Sequence, residues 1–202
     1  MPSPAALPLH LPAGLAASQP TAAPADADAR LLDQLSRGDV AALDAVLGRY
    51  WSPLVAYVGG FLRSREGAED IAQETFYRLW ERRKKLRADG SLRGLIYHVA
   101  RNLAISEQRR ERTLERTVAA LDQEGPAFSY IDVKDDGSYV ALRRAVSDLP
   151  ARRREILLLH SVHGLPYKEI ALLLGIAPQT VANQFSSALA ALRQALPERS
   201  MV

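Results

Sequence analysis

GLPYKEIALLLGIAPQTVANQFSSALAALR, residues 164–193, is the stretch that decides the fold. Ile170, Leu173 and Leu174 give its first half an apolar face at helical spacing. Ala171 is small where two helices would approach closely. Gly175 falls where the chain must leave the helix, and glycine tolerates the left-handed backbone of such a turn. Ile176 plugs the turn, and Pro178 suits the first turn of a second helix. Val181, Phe185, Leu189 and Leu192 form the inward stripe of that helix, which leaves Gln179, Ala182, Asn183 and Ser186 facing outward near its start. This is the grammar of a helix-turn-helix, whose second helix enters a DNA major groove. A plain helical hairpin shares the glycine and the amphipathic pair. The full spacing and the upstream segment LPARRREILLL, 149–159, favour the helix-turn-helix.

Arg152, Arg153 and Arg154 could grip phosphates, which give affinity without sequence information. The plainer alternative for each is a solvated helix start, although cations there oppose the helix dipole. Asn and Gln make bidentate contacts to adenine in the major groove, whereas Arg and Lys favour guanine. The second helix offers Gln179, Asn183 and Gln184, and no basic residue before Arg193. Modest intrinsic DNA affinity is expected, with help from a larger assembly.

Outward from this segment, 202 residues leave room for one or two small domains. The absence of cysteine excludes disulfides, thiol catalysis and thiolate metal sites, and it fits a reducing cytoplasm. Four histidines argue against a dedicated His-rich metal site. No apolar run approaches the roughly 18 residues of a membrane span. The net charge of +3 is unevenly spread. Residues 1–77 carry net −4, 78–117 net +7, 118–138 net −4 and 139–202 net +4. Two basic blocks around an acidic one suggest two polyanion-facing modules on a linker, against the alternative of ordinary solvated helix surface.

The remaining pattern is helical. Residues 1–26 hold six prolines and read as a flexible tail rather than a signal peptide. Leu31, Leu32 and Leu35 start a short helix ending near Gly38, and Asp39 is a good N-cap for the next. Pro53 sits inside that second helix, so a kink or break near Trp51 is expected. A third helix runs from about Glu66 to Leu86, and a fourth starts near Ser91 and continues past Arg110. Residues 117–138 are acidic and turn-rich. Helices over Tyr139–Ser147 and Pro150 to about Val162 then lead into the helix-turn-helix.

DIAQETFYRLW, 70–80, resembles conserved region 2.2 of the bacterial extracytoplasmic-function sigma factors. LIYHVARNLAI, 95–105, resembles their regions 2.3 and 2.4, and residues 149–193 resemble their region 4. The three blocks stand in the family's order with its short linker, and the resemblance covers about residues 28–116 and 139–196. It implies an all-α fold of two small helical domains joined by a flexible linker. The implied divisions are a disordered tail 1–26, a region 2 domain 27–116, an acidic linker 117–138, a region 4 domain 139–196 and a short tail 197–202.

The function implied is that of a dissociable, non-enzymatic RNA polymerase subunit directing promoter recognition, DNA opening and transcription initiation in the cytoplasm, without a cofactor or metal. Its implied partners are core polymerase (the β′ clamp and β flap), promoter DNA and an anti-sigma factor, with no membrane insertion of its own. Carried over by position, the polymerase face includes Asp70, Gln73, Glu74, Phe76 and Trp80. Phosphates would repel Asp70 and Glu74, so a protein partner suits that face, while Phe76 and Trp80 at i and i+4 also read as core.

Regions 2.3 and 2.4 bind and open the −10 element in the family. The corresponding residues are Arg83, Lys84, Lys85, Arg87, Arg93, Arg101, Asn102, Arg109 and Arg110, which could hold separated strands electrostatically. The loop Arg87–Leu95, with Gly90 and Gly94, matches the family's specificity loop and could pocket a flipped base. Tyr97 reads as core ahead of a base-stacking role, and Asn102 as either a DNA contact or a local cap. The −35 set is Arg152, Arg153, Arg154, Lys168, Gln179, Thr180, Ala182, Asn183 and Ser186. Ala177 stands where the family usually has a Ser cap, and Ala182 and Gln184 stand at positions that are often basic.

A helix-turn-helix regulator of another class would bind a palindrome as a dimer without polymerase. An enzyme would need a site that is not evident. His160 and His163 lack a carboxylate in register and read as surface or groove-edge histidines, and the acidic linker is a poor place for preorganised catalysis.

Overall fold

A computed structural model describes residues 25–62, 64–86, 90–118 and 137–196. In order, its helices are α1 Ala25–Ser36, α2 Val40–Val58, α3 Arg65–Glu81, α4 Leu92–Val118, α5 Gly137–Ser147, α6 Ala151–Ser161, α7 Tyr167–Leu174 and α8 Pro178–Ala195. A 3-10 turn, Arg83–Lys85, follows α3. No strand occurs among the described residues. The tail 1–24, residues 87–89 and the segment 119–136 lie outside them.

Local chemistry sets the helix ends. The Asp39 side chain accepts from the Ala41 N–H at 2.9 Å and starts α2. Ser64 Oγ accepts from the Gly67 N–H at 3.0 Å and starts α3. Each bond satisfies a donor that the first helical turn otherwise leaves unpaired. Gly175 closes α7 at φ 65° and ψ 39°, the left-handed region, as the turn requires. Ala177 gives α8 no side-chain cap, and Pro178 occupies the first turn instead.

Two sequence expectations change. Of the kink or break foreseen near Trp51, the break does not occur, since α2 runs as one helix through Pro53. The ring removes one ladder donor, but Tyr50 and Leu54, Tyr57 and Val58 bury both halves of the helix in the same core. α3 stops at Glu81 rather than Leu86. There Arg83 folds back, donating from Nη1 to the Trp80 carbonyl at 2.9 Å with its guanidinium 4.4 Å above the Trp80 ring.

α1, α2, α3 and α4 pack on one another, and α5, α6 and α7 gather around α8. The two groups also meet, with α7 against α4. Their apolar stripes merge: Ile156, Leu159, Leu165 and Ile170 join one buried cluster with Val46, Leu54, Ile96 and Ala100. A smaller cluster of Ala145, Leu149, Leu157, Ala188 and Leu192 is drawn from α5, the turn after it, α6 and α8.

Candidate functional site

The described surface carries three polar faces. The first is on α3. Asp70, Gln73, Glu74 and Tyr77, at i, i+3, i+4 and i+7, line one shallow hollow. Glu74 is steadied by Arg78, whose Nε lies 2.6 Å from its carboxylate. Tyr77 is 57% exposed, whereas Phe76 is 4% exposed and stacks on Trp51 at a centroid distance of 6.1 Å. Phe76 therefore does not present itself to a partner. Its place is on the opposite side of α3 with Ala68, Ala72 and Leu79. Trp80 is half-buried beneath Arg83. Tyr77 is the residue the sequence reading missed. Its i+7 register from Asp70 was the available signal.

The second face follows α3 and runs along α4. Lys84, Lys85, Asn102, Arg109 and Arg110 are exposed. Asn102 Nδ2 lies 3.1 Å from Nε2 of the exposed His98, one turn earlier. Arg110 pairs with Glu107 at 3.4 Å. Arg87 lies outside the described residues. Arg83 is held back on Trp80.

Arg93 and Arg101 are placed differently. The Arg93 side chain is 12% exposed, 3.6 Å from Asp28, and donates to the Gly164 carbonyl at 3.0 Å. Asp28 also takes Arg49 at 2.9 Å and the Tyr50 hydroxyl at 2.6 Å. Burial and that Asp28 contact push the Tyr50 phenol up to about 12. Arg101 pairs with Glu155 of α6 at 2.7 Å. Glu155 also accepts from the Tyr57 hydroxyl at 3.1 Å. Burial, then the Glu155 charge, holds the Tyr57 phenol well above its ordinary value. Tyr97 is buried, which removes it from any base-stacking role in this arrangement, and its hydroxyl meets His163 Nδ1 at 2.8 Å. Burial drives the Tyr97 phenol upward and, with Arg93 adding to it, the His163 imidazole down to about 3.

The third face is the helix-turn-helix. Gln179, Thr180, Asn183 and Ser186 are exposed along the start of α8, with Ala182 half-buried among them. Gln179 Nε2 donates to Asn183 Oδ1 at 3.1 Å, a bond that readout of a base would exchange. Lys168 is exposed on α7. The three arginines of α6 carry structural contacts. Arg152 donates to the Leu174 carbonyl at 2.7 Å, and Arg154 to the Ser147 carbonyl at 2.7 Å. Both satisfy carbonyls at helix C-termini, where a cation also suits the dipole. Arg153 Nε donates to Gln184 Oε1 at 3.3 Å.

Among the described residues no group of three or more His, Cys, Asp or Glu could hold a metal ion. No described helix is long and apolar enough to cross a membrane. The three polar faces are the places where the candidate residues are gathered.

Comparison with known proteins bears on what those surfaces meet. The models of Sigma-70 region 2 and Sigma-70, region 4 match residues 47–113 and 139–192. The ECF RNA polymerase sigma factor SigL of Mycobacterium tuberculosis is 33% identical over 134 residues, which span 65% of this chain and 75% of SigL. A probable RNA polymerase sigma factor, RfaY of Xanthomonas campestris pv. campestris, is 32% identical over 146 residues. That match spans 68% of this chain but only 36% of the length of RfaY. The structure of CnrH in complex with the cytosolic domain of CnrY shares the fold, with a TM-score of 0.61 at 20% identity over 85% of this chain and 97% of CnrH.

Proposed function

The chain belongs to the sigma-70 family of RNA polymerase sigma factors, in its extracytoplasmic-function group, and from that premise we propose how its surfaces divide the work of starting transcription. The chain is an alternative sigma factor that joins core polymerase and directs it to promoters. The hollow lined by Asp70, Gln73, Glu74 and Tyr77 docks on the polymerase clamp. The exposed row from Lys84 and Lys85 through Asn102 to Arg109 and Arg110 receives the −10 element. The outer face of α8, Gln179, Thr180, Asn183 and Ser186, receives the −35 element. Residues 27–116 and 139–196 act as the two binding domains, with 117–138 as their tether.

The observation that carries this reading is the pairing, in one chain, of an open α7–α8 helix-turn-helix with an uncovered acidic, amide and aromatic hollow on α3. DNA would be repelled by the hollow, so it calls for a protein, while α8 calls for DNA. Opening of the duplex needs no ATP. Contacts to the separated strand offset the cost of unpairing, through cations and base stacking. Bond-making in RNA synthesis stays with the polymerase, so this chain needs no catalytic group. An anti-sigma partner is part of the proposal, because the related CnrH is seen with the cytosolic domain of CnrY. Work on promoters puts the chain in the cytoplasm.

Abortive transcription with core polymerase on a sequenced promoter library tests the reading. Start sites should appear only when the protein is added. Changing Asp70, Gln73 and Glu74 together to Ala should lower those products about tenfold or more, as loss of a central contact cluster does, with DNA binding by isolated α8 contacts unchanged. Tight binding to a palindrome without polymerase, and no new start sites, would replace this reading with a dimeric regulator.

A further inference from the structure

Glu155 sits at the seam between the two helical groups with cations and a hydroxyl around its carboxylate. Arg101 reaches it from α4 through Nε at 2.7 Å and Nη2 at 3.5 Å. The Tyr57 hydroxyl donates from α2 at 3.1 Å, and Arg152, on α6 with Glu155 itself, lies 3.7 Å away. The Arg101 and Glu155 side chains are only 16% and 12% exposed. Water screens such a pair poorly, and either charge left alone there would be costly. A guanidinium takes a carboxylate or a phosphate through the same fork of N–H donors. Arg101 therefore cannot hold Glu155 and a nucleic-acid phosphate through that fork at once.

The rest of the seam points the same way. Arg93 spends one N–H on the Gly164 carbonyl at 3.0 Å. The first turn of α4 is pressed against α7: a Cβ on Gly94 would lie 2.9 Å from Glu169 Oε2. Two cations matched to the −10 element, and the glycine at the start of α4, are thus committed to an internal contact.

We propose that this docked arrangement is an autoinhibited state in which Glu155 occupies the place of a backbone phosphate on Arg101, so that single-stranded DNA and docking of α6 exclude one another. The proposal rests on the sigma-factor reading through Arg101 as a DNA contact. Undocking releases the Arg101 fork and the Tyr57 hydroxyl from Glu155 and one Arg93 N–H from the Gly164 carbonyl, while Asp28 of α1 still faces Arg93.

The chain has no cysteine, so Ala45→Cys on α2 and Ala190→Cys on α8, both at exposed positions, accept a donor and acceptor dye. Energy transfer is then followed in the full chain without polymerase. The free protein should give one high-transfer population, and a short single-stranded oligodeoxynucleotide should move it to low transfer. Glu155→Gln keeps the size and removes the charge. It should open the chain without DNA and tighten oligonucleotide binding about tenfold, the scale of one hydrogen bond to a charged group. Arg101→Gln should open the chain without tightening binding. High transfer that persists when the oligonucleotide is saturating overturns the proposal, and that titration on the wild-type chain decides it even where Glu155→Gln fails to fold. Unchanged transfer and affinity in a folded Glu155→Gln overturn it as well. Transcription without opening rejects the clasp alone. Opening without transcription rejects the sigma-factor reading and leaves the competition for Arg101 standing.

Discussion

His163 shows how one side chain ties stability to pH. It is buried in the turn after α6, against Tyr97 and Tyr57. Burial, and then the Arg93 charge, lowers its pKa to about 3. In the unfolded chain the same imidazole titrates near 6.5, so between those values the unfolded state binds the extra proton. Its stabilising contribution is complete above about pH 6.5 and drains away as pH falls toward 3, at up to about 1.4 kcal/mol per pH unit. Denaturant midpoints measured across that window should therefore fall more steeply in the wild type than in His163→Gln, which keeps a hydrogen-bonding group and cannot titrate there. Parallel slopes for the two proteins would show that His163 is not held neutral by the fold. The sequence placed His163 at the surface or at a groove edge, and the structure corrects this: His163 is buried, because Tyr97 of α4, 66 residues away along the chain, packs against it. The α3 face has the opposite character. Asp70, Gln73 and Glu74 are on one side by spacing alone, whereas Tyr77, at i+7 on the same side, was left out of that set.

Single elements were legible wherever the local chemistry is self-contained. Asp39 caps α2, Gly175 ends α7 and Pro178 opens α8, and each needs only its neighbours. Legibility fails where distant packing overrules local preference. α2 continues through Pro53 because the core holds both halves, and α3 ends early where Arg83 finds Trp80. The turn between α7 and α8 allows a clean measure of one local term. A Cβ on Gly175 would meet nothing within 4 Å, so Gly175→Ala adds no clash and only the strain of φ 65°. An L-residue in that region costs about 1–2 kcal/mol. The unfolding free energy should fall by that amount, read as a lower denaturant midpoint with the slope unchanged. Gly175→Asn should recover part of it, since Asn tolerates the left-handed region better. Equal stability of all three proteins would mean that the turn relaxes out of this conformation. The same turn aims α8, so Gly175→Ala should also weaken binding to a −35 element more than Ala substitution on the outer face of α5.

At the scale of the whole molecule, the amphipathic stripes were readable and their pairing was not. A stripe of leucines states that a helix is buried without stating against what. The basic blocks likewise suggested two faces open to polyanions, yet Arg93 and Arg101 are turned inward by Asp28, Gly164 and Glu155. The consequence is one apolar cluster shared between α1–α4 and α6–α8, and it should make unfolding of the two groups a coupled event. Ile156 tests this. It lies in α6 but is fully buried in the shared cluster, and truncating such a residue to Ala costs about 2–5 kcal/mol. Both tryptophans, Trp51 and Trp80, lie in α2 and α3, so indole fluorescence reports only the first group. Leu192→Ala is the control, because Leu192 sits in the smaller cluster of α5, α6 and α8. If docking couples the groups, Ile156→Ala lowers the fluorescence midpoint directly, while Leu192→Ala acts on it only through loss of the docked partner. A fluorescence transition that ignores Ile156→Ala, beside a helical signal that splits into two steps, would mean that the groups unfold independently and that the shared cluster adds little to the first.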